Sequence, residues 1–253
     1  MKTILKCIST IEQLDIELFN HLNLGVEIQD FTEPNLSTKE TKEIIDGYKK
    51  LFKNFKGVKS LHGPYLDLKP ASPDLLIREV SYKRYLHALE IATQLDMDYL
   101  IFHSQINPLI NEPFISDLNN LQAKQFWTKI TRETDYRGTI VIENVFEKSP
   151  VMLKKYIETV NRPNIKINLD IGHIKARKAG LEEWIRELKE HIAYIHVHSN
   201  DGQYDLHQRP SAREVAHLYR LLAKYNLTPP LALEYDFNNI EEEIGRYLCE
   251  VNR

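Results

Sequence analysis

Short apolar runs alternate with longer stretches of helical periodicity along the chain. Eight runs read as strands: Ile4–Ile8, Leu24–Ile28, Val58–His62, Tyr99–His103, Thr139–Glu143, Ile165–Asp170, Tyr194–His198 and Leu231–Glu234. Most are rich in Val, Ile and Leu without strict alternation, the pattern of parallel strands covered on both faces. Between them, apolar residues recur every three to four positions, as on one face of a helix. Ile44, Tyr48, Leu51 and Phe55 form one such stripe, Tyr82, Tyr85, Leu89 and Ala92 another, and Leu181, Trp184, Ile185 and Leu188 a third. Ser211 with Glu214 reads as a capping box ahead of Val215, Leu218 and Leu222. Strand–helix alternation of this kind predicts an α/β fold, a single (β/α)8 TIM barrel over residues 1–253. An open doubly wound sheet would need a glycine-rich phosphate loop after the first strand, and none is there among only 9 glycines.

Charged and imidazole groups stand where these runs end: Glu27, His62, His103, Glu143, Asp170, His196 and Glu234. In a parallel barrel all C-terminal strand ends share one face, where active sites are built. These groups therefore converge on one mouth. Crowded carboxylates repel and resist ionisation unless cations sit among them. A His/Asp/Glu cluster on a rigid frame suits divalent zinc first, with manganese or iron as alternatives, rather than a nucleophile triad.

His62 and His103 fall at matching strand ends and read as a ligand pair. Glu143, after an all-apolar run, is mirrored by Glu234 after Leu-Ala-Leu, and two such carboxylates can bridge metals or divide acid and base roles. Asp170 and His173 form Asp-x-x-His across the strand-to-loop turn, the plain alternative being a helix cap beside a solvated histidine. His196 and His198 point the same way along their strand, so one is expected to bind metal and the other substrate. Asn200-Asp201-Gly202 is a turn, and Asp205 and His207 follow it over the same mouth. Glu27 reads as a substrate contact or a hydrogen-bonded strand-end carboxylate. His21, His87, His191 and His217 read as structural.

Composition narrows the partners. The chain has 253 residues, 42% hydrophobic and 27% charged, with a net charge of −3. Nothing sequence-wide would hold it on phosphate backbones or anionic lipid, so nucleic acid is possible as a partner but not favoured, and a small molecule is expected. Cys7 and Cys249 lie far apart with no ligand-like spacing, which excludes a disulfide framework and implies a reduced, cytoplasmic setting. The N-terminal stretch turns polar too soon for a signal peptide, and no apolar run approaches the roughly 20 residues of a membrane span.

The strand-end motifs resemble the xylose isomerase-like TIM barrels, a superfamily of sugar isomerases and epimerases and of the endonuclease IV type of abasic-site nuclease. The resemblance covers essentially the whole chain. It rests on Leu-His62-Gly-Pro-Tyr-Leu, Ile-Phe-His103, Val-Ile-Glu143-Asn, Asp170-Ile-Gly-His173, His196-Val-His-Ser-Asn-Asp and Glu234. In the endonuclease branch nine ligands hold three zinc ions. The positions matching them are His62, His103, Glu143, Asp170, His173, His196, Asp205, His207 and Glu234. The resemblance implies that Glu143 bridges, joined by His62 and His103 at one metal and by Asp170, His196 and Glu234 at a second, while His173, Asp205 and His207 hold a third. Tyr65 and Leu66 match the position where that nuclease inserts side chains into DNA, and Tyr65 is a substrate candidate with Glu27 and His198. The single-metal isomerase branch matches only Glu143, Asp170, His196 and Glu234; there His173 touches substrate. The expectation is therefore a metal-dependent enzyme holding one to three ions, with Glu143 and Glu234 catalytic. It hydrolyses a phosphoester of a sugar-phosphate-like or abasic nucleotide substrate or, alternatively, isomerises or epimerises a sugar. A catalytically silent binding barrel is the third reading.

Overall fold

The computed structural model describes residues 3–251. Cys249 lies outside the described side chains. Eight strands, β1 (Ile4–Ile8), β2 (Gly25–Ile28), β3 (Lys59–His62), β4 (Tyr99–His103), β5 (Thr139–Glu143), β6 (Ile165–Asp170), β7 (Ile192–Val197) and β8 (Leu231–Leu233), pair in parallel in chain order, and β8 closes on β1. The helices among the described residues are α1 (Ile16–His21), α2 (Thr38–Phe52), α3 (Leu75–Gln94), α4 (Pro113–Ile130), α5 (Val151–Val160), α6 (Ile171–Ala176), α7 (Leu181–Leu188), α8 (Ala212–Lys224) and α9 (Ile240–Val251). The architecture is a single (β/α)8 TIM barrel. No described helix is long and apolar enough to cross a membrane.

The local reasons are ordinary. Ser37–Glu40 and Ser211–Glu214 form reciprocal capping boxes that start α2 and α8. Asp74 caps α3 by accepting from the backbone N–H groups of Leu76 and Ile77. Phe55, read as the end of the α2 stripe, lies beyond that helix and packs its ring against Phe19 and Phe52 instead.

Two apolar layers result from the two faces of each strand. Outward residues such as Leu61, Phe102, Ile142 and Leu169 meet Tyr85, Trp127, Trp184 and Leu222 of the helices. A second, smaller cluster of Leu5, Ile101, Val141, Tyr194 and Ala232 fills the bore. A β-bulge between β6 and β7 after Ile167 brings Asp170 level with His196.

Candidate metal centre

Side chains alternate along a strand, so the residue two positions beyond each bore-filling residue points inward again, one layer nearer the mouth. Ile101 is followed in this way by His103, Val141 by Glu143, Tyr194 by His196 and Ala232 by Glu234. The register agrees: His103 stands level with Glu143, and Glu143 with Asn168. The polar floor of the mouth is thus the next storey above an apolar plug.

Four histidines are oriented by oxygens that can only accept. His62 Nδ1 donates to the Gly63 carbonyl at 2.9 Å, His173 Nδ1 to that of Asn144 at 2.8 Å, and His207 Nδ1 to that of Glu234 at 3.1 Å. Each leaves Nε2 free to face the carboxylates. His196 is held the other way round, with Nε2 3.0 Å from Glu27 Oε2, so its Nδ1 faces the centre. An imidazole fixed through one nitrogen presents the other as a ligand.

The donor atoms cluster in sets. His62 Nε2 and His103 Nε2 each lie 3.7 Å from a Glu143 oxygen. His196 Nδ1 is 3.1 Å from Glu143 Oε2, 3.0 Å from Glu234 Oε2 and 3.7 Å from Asp170 Oδ2. Asp205 Oδ2 lies 3.0 Å from His173 Nε2 and 3.3 Å from His207 Nε2. Close groupings suited to an ion include His62, His103 and Glu143; Glu143, Asp170 and His196; His62, His196 and Glu234; and His173, His198, Asp205 and His207. Two atoms bound about 2.1 Å from one tetrahedral zinc lie about 3.4 Å apart, which matches these separations. The Nδ1 atoms of His196 and His198 are buried with no hydrogen-bond partner. An imidazole and carboxylate donor set with orphaned ring nitrogens fits divalent cations.

The sequence candidates divide by position. His62, His103, Glu143, His173, Asp205, His207, Glu234 and Tyr65 line a mouth cavity of about 570 Å3. Tyr65 stacks on His103 with ring centroids 4.4 Å apart. Asp170, His196, His198 and Glu27 lie beneath the cavity surface, fully or almost fully buried. Glu27 accepts from Ser60 Oγ at 3.2 Å and Tyr194 OH at 2.8 Å, besides its contact with His196. His198 lies between Asp170, 3.1 Å from its Nε2, and the His207 ring stacked at 4.1 Å. Gly172 makes room for it, since a Cβ there would overlap the His198 ring. Asp170 both caps α6, accepting from the His173 N–H at 2.6 Å, and turns its other oxygen to His198; the cap of the plain alternative is present, but His173 is buried, not solvated.

Electrostatics follow from this crowding. Burial pulls His103 down to about 4, leaving it neutral at pH 7. Burial also opposes protonation of His173, but the Asp170 charge and the Asp205 hydrogen bond outweigh it and hold His173 at about 10. His207 is raised to about 9 against burial, chiefly by its hydrogen bond to Asp205. Glu234 is drawn down to about 2 against burial by His196. Asp170 and Glu143 are held below the usual carboxylate range against burial, the first mainly by His173 and His198, the second mainly by His196 and His103. Protons on the imidazoles therefore supply the positive charge that cations would otherwise provide, and the two compete for the same seats.

Sequence reading missed the supports. Gln29 donates to Glu234 at 2.8 Å, Asn168 to Glu143 at 2.9 Å, and Asn144 joins β5 to β6 through two hydrogen bonds with the Asp170 backbone. Gln29 and Asn168 stand two positions from Glu27 and Asp170, so strand parity was the available signal. Glu147 is a buried carboxylate that accepts from Ser104 Oγ at 2.6 Å and from two backbone N–H groups, fixing the loop that carries Phe146.

A closed barrel whose strand ends gather imidazoles and carboxylates at one mouth defines the class. The chain belongs to the xylose isomerase-like TIM barrel family, whose sequence model matches residues 23–246. An uncharacterized protein of Methanocaldococcus jannaschii is 31% identical over 177 residues, 64% of each chain. A second from that organism is matched over 53% of its own length, so the chain spans under two thirds of both relatives. Among solved structures, the TTHB071 protein from Thermus thermophilus, soaked with ZnCl2, superposes with a TM-score of 0.77 at 22% identity, covering 100% of this chain and 98% of that one. A D-tagatose 3-epimerase-like protein gives 0.75 at 22% identity with the same coverage. An AP endonuclease of family 2 from Brucella melitensis gives 0.68 at 16%, covering 98% and 99%.

Proposed function

We propose that the chain is a metal-dependent hydrolase with a multinuclear centre acting on a phosphoester of a sugar-phosphate-like or abasic nucleotide substrate. One observation carries this reading. The turn after β7 brings Asp205 and His207 to His173 and His198, a set that shares no residue with the groupings of Glu143 named above, although His173 Nδ1 lies 3.4 Å from a Glu143 oxygen. A single-ion enzyme has no use for it. His62 and His103 with Glu143, then Asp170, His196 and Glu234, then His173, Asp205 and His207 with His198 would hold up to three ions, zinc before manganese or iron. Bound divalent cations supply Lewis acidity, which acidifies water and neutralises charge on attacking and leaving oxygens.

The chain's own groups do the rest. Glu234 is ionised, faces the cavity and is steadied by Gln29, so it is placed to take a proton from an attacking water. Glu143 holds the neighbouring imidazoles in register. Tyr65 and Phe146 line the cavity and add aromatic surface beside the polar groups. The substrate is a small molecule; the net charge of −3 does not favour tight duplex binding.

Elemental analysis of the purified protein tests the proposal together with phosphatase and endonuclease assays. About three ions per chain and metal-dependent phosphate-ester cleavage are expected. One ion per chain, unaltered by Asp205→Asn with His207→Ala, overturns it. That result would favour the second reading, a single-metal sugar isomerase or epimerase. Its own support is the approach of both Glu143 and Glu234 to His196, two carboxylates able to move a proton next to a carbonyl.

A further inference from the structure

A second cavity of about 420 Å3 adjoins the mouth, within the range of small-molecule sites. Ile77 of α3, Ile106 and Ile110 of the β4–α4 loop, and Met152 and Tyr156 of α5 give it apolar walls. Lys69 and Gln105 line both cavities and stand between them.

Its polar fittings are uneven. Ser104 is engaged with Glu147, Tyr156 OH accepts from Trp127 at 2.6 Å, and Asn107 accepts from the Leu109 N–H. Asn120 is not engaged. It is 7% exposed, lines the cavity, and its amide has no hydrogen-bond partner among the described residues. The amide atoms are not among those fully buried without a partner, so the amide opens onto the cavity and offers a ligand both a donor and an acceptor. Lys69 is the only Lys or Arg lining either cavity among the described residues, and its ammonium has no carboxylate within 4.0 Å. It stands at the junction, free to meet an anion.

The geometry points to a substrate pocket for the base of a nucleoside phosphate, with the ring between the apolar walls, its hydrogen-bonding edge on Asn120 and its phosphate beside Lys69. This rests on the proposed reading of the mouth as the reacting centre and takes its sugar-phosphate branch, since an abasic nucleotide has no base to fill the pocket.

Isothermal titration of the protein as purified, with AMP, GMP, CMP, UMP and ribose 5-phosphate, tests it. At least one nucleotide is expected to bind tenfold or more tightly than ribose 5-phosphate. Asn120→Leu should erase that advantage, while ribose 5-phosphate, which has no base, binds the variant as it binds the parent. Ile110→Glu, on the exposed loop, should act alike and guards against a folding defect at Asn120. Four nucleotides no tighter than the sugar phosphate, or an advantage that survives both substitutions, overturns the pocket. Metal content is measured on the same samples. Three ions without a nucleotide preference remove the pocket alone; a preference at one ion per chain removes the multinuclear reading alone.

Discussion

Glu27 has no surface in the cavity, yet it determines which nitrogen His196 offers there. Its carboxylate takes Nε2, together with Ser60 and Tyr194, and so leaves Nδ1 toward Glu143 and Glu234. Glu27→Gln removes that charge, and metal binding should weaken by about 10–100-fold, as for other partners of ligating histidines; competition with a chromophoric chelator measures it, and unchanged affinity would confine Glu27 to packing. Glu143→Gln, by contrast, should lower turnover at least about 100-fold while cooperative thermal unfolding persists, because the barrel core does not depend on one mouth carboxylate. Full retained activity would remove Glu143 from the chemistry. The mouth candidates were legible at this scale because ionisable groups after apolar runs are conspicuous. Asn168 and Gln29 were not, since a neutral amide at a strand end resembles any surface residue until its parity with the bore is known.

Between β7 and α8 the chain forms a hairpin-like excursion. It is pinned by the Ser199–Gln208 pair, whose N–H groups and carbonyls exchange bonds at 2.7 Å, and by Lys175 and Glu214 on the Ser199 hydroxyl. His207 adopts a positive φ of 45°, and its ring stacks on His198 with Nε2 3.3 Å from Asp205 Oδ2. Gly172 at the start of α6 is the other requirement, because His198 packs on it. Gly172→Ala should displace His198, cost about 1–3 kcal/mol as overpacking does, and lower the metal content, with denaturant unfolding and elemental analysis as readouts; a variant with parental stability and metal content contradicts the packing argument. The sequence placed the turn and Asp-x-His but not the staple. Ser199, Gln208 and Lys175 are ordinary polar residues whose roles exist only after β7 and α8 are packed.

For the molecule as a whole, the imidazoles couple pH to stability and to metal loading. His173 and His207 are held at about 10 and about 9 in the folded chain, above the unfolded value of about 6.5. Their protonation stabilises the metal-free fold fully below about pH 6.5 and that contribution is lost as pH rises through 9 to 10. On the proposed metal reading the loaded protein would lack it, because imidazoles that ligate an ion have shed their protons. The melting temperature of chelator-treated protein should therefore fall across this window, and the extra stability conferred by zinc should widen. A gap that stays constant from pH 6.5 to 10 would contradict the competition of protons and ions for these residues. Strand order and closure were legible from eight apolar runs of similar length, with ends that differ by only one or two residues.

The plug of Leu5, Ile101, Val141, Tyr194 and Ala232 has a bearing on traffic. Among the described residues these side chains stopper the barrel beneath the polar floor. On the proposed reading, substrate and product would share one doorway, so departure of one molecule would clear the way for the next, and a lingering product would block the newcomer by simple occupancy.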